Sequence, residues 1–266
     1  MNGIALFAVS YDSIEILSAF AATHDITYPL LSDEGSHVMR ALGLINERVQ
    51  EDHAAYGIQP NPRHVNLPYP GVFVLDRDGV ITDKRFFESY RERETGGALL
   101  AQALGIFTDP AAPVAAAAEP VLTARAWLDS PTYVFFQRLV LALEVSLAPG
   151  FHVYGEAAGD GLTPIAIEID PIPGLEVGPA RWPAPRRFDR PGFNDGLWVY
   201  DGVVRGTVSL TFAAAPGGGD HVLGVTLRYQ ACDDASCLAP ASLRLRVPVR
   251  EAPLVGRALP GSTAKT

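Results

Sequence analysis

Residues 225–247 read VTLRYQACDDASCLAPASLRLRV, and the architecture of the second half of the chain follows from them. Val225, Leu227 and Tyr229 alternate with Thr226, Arg228 and Gln230, and Leu243, Leu245 and Val247 alternate with Arg244 and Arg246. Alternation at period two marks a strand with one buried and one wet face. The two runs flank a short polar segment, which predicts an antiparallel pair with Cys232 and Cys237 near its tip. Facing residues of such a pair lie roughly 4.5–5.5 Å apart at Cα, within disulfide range. Regular pairing outward from facing cysteines would set Thr226 opposite Leu243, mixing polar with apolar on each face. Pairing Leu227 with Leu243 needs one extra residue in the second strand. Pro240, which lacks an N–H, predicts that this residue is a bulge within 238–242.

Working outward, strand patterns recur at 122–128, 138–147, 164–170 and 203–212. Six or more short strands over about 130 residues predict an antiparallel β-sandwich of immunoglobulin-like size. Upstream, residues 109–120 (DPAAPVAAAAEP) carry three prolines and a run of alanines without periodicity, and read as a linker. The tail, 251–266, has little to bury and reads as flexible.

Before the linker, helix and strand signals alternate. Residues 3–10 (GIALFAVS) are apolar on both parities, as in a strand covered on both faces. Asp12 and Glu15 have capping-box spacing before a helix whose face is Ile14, Leu17, Phe20 and Ala21. A short extended piece (YPLLS, 28–32), a helix over 34–42 ended by Gly43, and a poorly patterned stretch over 46–67 follow. Residues 72–76 and 80–86 then form a hairpin around the turn 76–79, and a last helix covers 97–104.

Composition narrows the function. A net charge of -9, without any long basic stretch, argues against nucleic acid as a partner. The longest apolar runs are too short to span a membrane, and the first residues lack the basic flank and cleavage site of a signal peptide, so the chain as written reads as cytoplasmic. Two cysteines and six scattered histidines do not fill a metal shell, and no metal or organic cofactor is expected. The cysteines are too close to close a large loop, so their pairing would stabilise the fold little. Thiol exchange, a minor structural clip and coincidence all stay open on the residues alone.

Two resemblances sharpen this. IALFAVSYDS, YPLLSD and YPGVFVLDRDGVIT, in that order over residues 3–105, resemble the redoxin family, the AhpC/TSA peroxiredoxin-like branch of the thioredoxin fold. The resemblance implies a border-of-site proline at Pro70, often cis in that family. It also implies a first strand and helix with a reactive cysteine, which would precede Gly3. No cysteine occurs before Cys232, so no peroxidatic thiol and no peroxidase activity are expected here. The reading favours truncation from a longer parent over a non-catalytic remnant. Without that central strand, 3–10 and 72–76 must pair directly, or another segment must fill the gap.

The second half is similar to the N-terminal domain of DsbD, the thiol–disulfide interchange protein. The similarity rests on YQAC and CLAP around the cysteines, on GFHVY (150–154), on GPARWPAPRRF (178–188) and on Val199-Tyr200. It implies an immunoglobulin-like sandwich that exchanges disulfides at Cys232 and Cys237. A cap aromatic would fall at Phe193, and Tyr154 would lie near the cysteines. The partner would be a redox protein, either a thioredoxin-like donor or an oxidised client, and a full-length parent would be periplasmic or otherwise extracytoplasmic. Two departures stand out. The inter-cysteine loop is one residue shorter than usual, and Pro191 or Gly192 replaces the acidic residue before the cap aromatic. Asp233 and Asp234 instead put carboxylates beside Cys232, which raises a thiol pKa and suits a relay disulfide.

The chain therefore reads as an incomplete α/β thioredoxin-like domain (1–108), a linker (109–120), an all-β immunoglobulin-like sandwich (121–250) and a tail (251–266). Thiol–disulfide exchange is the expected function. The alternative is a non-catalytic binding or scaffold module whose cysteines form a static clip.

Overall fold

The computed structural model describes residues 3–55, 59, 67–87, 92–107, 114–155, 161–189, 196–213 and 219–252. The chain divides into two compact units, Met1–Tyr90 and Arg91–Thr266. It is mostly β, and no described helix is long and apolar enough to cross a membrane.

The first unit holds β1 (Ala8–Ser10), α1 (Ile14–Thr23), β2 (Leu30–Ser32), α2 (His37–Ala41), α3 (Val49–Ala55), β3 (Gly71–Leu75) and β4 (Ile81–Phe86). β1 and β2 pair in parallel across α1, with Val9 opposite Leu31. The helix is capped one residue later than its sequence spacing predicts: Ser13, not Asp12, accepts the Ile16 N–H. Asp12 instead receives the Ser10 hydroxyl at 2.5 Å. β3 and β4 form the expected hairpin. Its turn is held by Asp76, whose Oδ1 accepts the N–H groups of Asp78 and Val80, and by Gly79 at φ 81°. α2 ends before Gly43, at φ 66°, as predicted. α3 arises in the stretch that lacked a readable pattern.

Three expectations for this unit are overturned. β1 pairs with β2 alone and β3 with β4 alone, so among the described residues the gap between them is neither closed nor filled. Residues 3–10 are not covered on both faces: Ile4, Leu6, Phe7 and Val9 are all exposed, Phe7 by 57%. On α1 only Leu17 is buried, and Ile14 is 69% exposed. A two-stranded sheet with one helix on it has too little second layer to cover these side chains. The Tyr69–Pro70 peptide is trans, correcting the cis expectation. The bend there is held by backbone bonds instead, with Tyr69 N–H donating to Leu44 and Pro70 O accepting from Phe87, at 2.8 and 3.1 Å.

The second unit begins earlier than the sequence divides it. β5 (Arg93–Glu94) and α4 (Gly96–Leu104) belong to it, although residues up to 108 were expected in the first domain. Thr95 caps α4, accepting the Ala98 N–H while its hydroxyl donates to Asp129. Gln102 donates to Ser209 at 2.6 Å. Five residues of the expected linker form a strand as well: β6 (Ala115–Glu119) pairs antiparallel with β7 (Leu122–Leu128). Alanines carry no pattern to announce a strand, but at a sheet edge they satisfy the ladder. Of the tail, Glu251 and Ala252 are described and the rest lies outside the described residues.

The remaining elements are β8 (Thr132–Tyr133), β9 (Gln137–Leu147), β10 (His152–Tyr154), β11 (Ala166–Ile169), β12 (Leu175–Arg181), β13 (Arg186–Phe188), β14 (Leu197–Asp201), β15 (Val203–Phe212), β16 (His221–Tyr229), β17 (Ala231–Cys232) and β18 (Ala241–Glu251). One sheet runs β12-β15-β9-β7-β6, with β5 beside β9, and a second runs β11-β16-β18-β8. Between them lies a dry core that includes Leu139, Leu141, Leu143, Leu210, Phe212, Leu223, Leu227 and Val247. Each such side chain contributes about 1.5–3 kcal/mol by burial, and together they make a β-sandwich. The third sheet, β13-β14-β10-β17, carries the cysteines.

Candidate functional site

The site begins where β16 leaves the second sheet. Tyr229 pairs with Ala241 and Leu227 with Leu243, while Cys232 faces Cys237. These registers differ by one residue. The Leu238 N–H donates to Ala231 O at 2.9 Å in the cysteine register, so the extra residue falls at Ala239–Pro240, inside the predicted bulge. Gln230, at the junction, is buried and pins both sides. Its Oε1 accepts the Thr163 N–H at 2.9 Å, and its Nε2 donates to Leu238 O at 3.0 Å.

Cys232 and Cys237 form a disulfide, with Cα atoms 4.1 Å apart. The loop between them is wound on Asp233, whose Oδ1 accepts the N–H groups of Ala235 and Ser236 at 2.8 and 2.6 Å. That carboxylate is thus spent on the loop. The two sulfurs differ in surroundings, because Cys232 is fully buried and Cys237 is exposed. The Tyr154 hydroxyl donates to Cys232 Sγ at 3.1 Å and stands 3.4 Å from Cys237 Sγ.

The register of the third sheet explains this grouping. Side chains alternate along a strand, and facing residues share a face. One face presents Val153, Tyr200 and Ala231 to the sandwich core. The other gathers Tyr154, Leu197, Val199 and Cys232 into a second buried cluster, with Phe188 packed against it. Beside that cluster a cleft of about 380 Å³ is lined by the 147–152 turn, Arg186, Phe188, Asp201 and Asp234.

Of the residues picked from the sequence, Cys232, Cys237 and Tyr154 come together. Phe193 lies outside the described residues, and Pro70 lies in the first unit, at the start of β3. Sequence reasoning passed over Gln230, Phe188 and His152. Each sits inside a quoted motif, and His152 lies two residues from Tyr154, the spacing that puts both on one strand face. Among the described residues no group of three His, Cys, Asp or Glu is placed to hold a metal ion.

A disulfide joining an exposed residue to a buried one, under a hydroxyl that lies near both sulfurs, is an arrangement suited to thiol–disulfide exchange. Residues 130–247 match the family model of the thiol:disulfide interchange protein DsbD, N-terminal. That stretch is similar to the DsbD N-terminal domain. Residues 1–84 match the AhpC/TSA family model. No curated protein matches the chain. Among solved structures, the N-terminal periplasmic domain of ScsB from Proteus mirabilis is 25% identical, with 49% of each chain covered and a TM-score of 0.36. The chain thus spans about half the length of that ScsB structure. The Neisseria meningitidis DsbD N-terminal domain in its reduced form is 18% identical, covering 41% of this chain and 77% of its own, at a TM-score of 0.31. The yeast GGA1 GAE domain is 10% identical, covering 50% and 97%, at 0.30.

Proposed function

We propose that this chain exchanges disulfides through Cys232–Cys237 with a redox partner protein, either a thioredoxin-like donor or an oxidised client. One observation carries the reading: the pair is asymmetric, Cys237 an exposed residue at a bulged hairpin tip and Cys232 buried beneath the Tyr154 hydroxyl. A partner thiolate reaches Cys237 Sγ. The Cys232–Cys237 bond breaks as the mixed disulfide forms, and the electron pair leaves on Cys232 Sγ. The Tyr154 O–H supplies a hydrogen bond to that leaving sulfur, where burial would otherwise penalise the charge.

The first unit, in this reading, is a thioredoxin-like domain of AhpC/TSA type without a peroxidatic cysteine, so the chain has no peroxidase activity of its own. The DsbD likeness supports an extracytoplasmic place for a full-length parent. The test is the equilibrium reduction potential of the pair in glutathione or dithiothreitol buffers. Exchange chemistry puts it near biological thiol couples, whereas a static clip in a scaffold module would lie below about −300 mV. A potential in that lower range would overturn the proposal.

A further inference from the structure

Beside Cys232, its sheet face carries two side chains that the exchange step above leaves unused. His152 is the ladder partner of Cys232 on one side and of Asp201 on the other. Directly opposed residues share a face, with Cβ atoms roughly 4.5–5.5 Å apart. Asp201, His152 and Cys232 therefore stand in line across three strands, a carboxylate, an imidazole and a sulfur.

The imidazole is 2% exposed. It stands edge-on to Tyr154 with ring centroids 5.6 Å apart, and tilted against Phe188 at 4.6 Å. Charged groups reach this neighbourhood from each surrounding element. Asp201 comes from β14, Arg186 from β13 and Asp234 from the cysteine loop, the last two lining the same cleft as His152. Arg186 Nε donates to Asp201 at 2.6 Å, so its charge is held by that carboxylate. Tyr154, on the same strand as His152, is the other titratable neighbour. It offers a hydrogen bond to the sulfurs. Of the groups beside Cys232, only a histidine ordinarily changes charge in the neutral range.

We infer that His152 is the proton donor and acceptor for Cys232 during exchange, an inference that rests on the disulfide-exchange reading above. When a partner thiolate attacks Cys237 Sγ, the Cys232–Cys237 bond breaks and a partner–Cys237 bond forms. The electron pair left on Cys232 Sγ takes the proton of the His152 imidazolium, which becomes neutral imidazole. In the reverse direction neutral His152 accepts the Cys232 proton, and the thiolate attacks the mixed disulfide and expels the partner thiolate. The electrons come from the partner's thiol and the proton from His152, with the cleft side of the ring as the route to solvent. A thiolate at a fully buried position is strongly disfavoured without a compensating charge, and His152 supplies it.

The test uses the full chain carrying Cys237→Ser, which leaves Cys232 as a lone thiol. Thiolate absorbance is followed against pH with His152 intact, then with His152→Phe, which keeps a ring against Tyr154 and Phe188, and with His152→Gln. The expected result is a Cys232 midpoint higher by about one pH unit or more in both variants, a tenfold loss of thiolate at a given pH. An unchanged midpoint in either folded variant overturns the inference. Should both variants fail to fold, the wild-type chain decides by NMR. The His152 imidazole should titrate at higher pH in the reduced than in the oxidised protein, and equal midpoints overturn the inference. Failure of the wild-type disulfide to exchange with dithiothreitol would instead sink the functional reading.

Discussion

The two units treat the same kind of residue in opposite ways. In the sandwich, Leu139, Leu141 and Leu143 follow one another along β9 and are all fully buried, because a second sheet covers one side of the strand and further elements cover the other. In the first unit Leu6, Phe7 and Val9 follow one another along an equally apolar run, and more than half of each is in water. Apolar pattern states what a segment can bury, whereas burial requires a second layer, and the described residues supply that layer only once. Tight packing should therefore be concentrated in the second unit.

The sharpest way to break that contrast is truncation. Removing residues 1–90 should leave a folded sandwich with undiminished thiol exchange. Removing 1–108 takes β5 and α4 as well and uncovers β9 and β15, so cooperative thermal unfolding should be lost or sharply lowered. Equal melting of the two truncated chains would show that α4 contributes nothing to the sandwich.

Core substitutions come next. Leu210→Ala should cost about 2–5 kcal/mol in chemical denaturation, whereas Ile14→Ala in the first unit should stay within about 0.5 kcal/mol. Comparable losses at the two positions would mean that Ile14 is covered in solution.

At the site, Tyr154→Phe keeps the ring and removes the hydrogen bond to both sulfurs. A hydrogen bond to a charged group contributes about 1.5–3 kcal/mol, so reduction by dithiothreitol should slow about tenfold or more with little change in melting temperature. Gln230→Ala should do the reverse. It strands the Thr163 N–H and costs about 1–3 kcal/mol of stability, while the sulfurs keep their hydroxyl.

The smallest expected effect separates the units by the sign of their pH response. Asp33 accepts the N–H groups of Val38 and Met39 at 3.0 and 2.9 Å, and these bonds hold its pKa below the ordinary carboxylate range. Its contribution is present above the unfolded pKa and is lost as pH falls through the folded one. Asp129, at the end of β7, is pushed up by burial, against the opposing pull of the Thr95 hydroxyl and the Val140 N–H. Its folded form holds its proton more firmly than its unfolded form. The associated stability is full below the unfolded pKa and declines as pH rises through the folded one. Asp129→Asn should flatten the sandwich's response at mildly acid pH, and Asp33→Asn should flatten that of the first unit. Hydrogen exchange at α2 and at α4 would resolve the two separately.

Much of this was legible in the chain. β7 and β15 fall where alternation places them, at 122–128 and 203–212, because each strand has one face in the core. The cysteine hairpin and its bulge were readable because an integer mismatch in a period-two lattice must be absorbed somewhere. β6 and β12 were not readable: alanines carry no alternation, and LEVGPAR interrupts its own with Gly178 and Pro179. His152 escaped because histidine is ambiguous until its strand neighbours are known. Only the pairing of β10 with both β14 and β17 puts it between a carboxylate and a sulfur.

The one-residue offset at Ala239–Pro240 also decides where the chain tolerates changes of length. Between Cys232 and Cys237 the loop is a closed turn, and residues gained or lost there leave both flanking ladders in phase. Between Cys237 and Leu243 the count matters modulo two. Deleting one residue would remove the bulge and leave Leu227 facing Leu243 in an unbroken ladder, whereas adding one must be absorbed by a wider bulge or it turns β18 over and sends Leu243, Leu245 and Val247 to the wet face. Length variation in this hairpin should therefore be free between the cysteines and restricted beyond Cys237 to the loss of the bulge residue, so that the second cysteine marks the boundary between a spacer and a ruler.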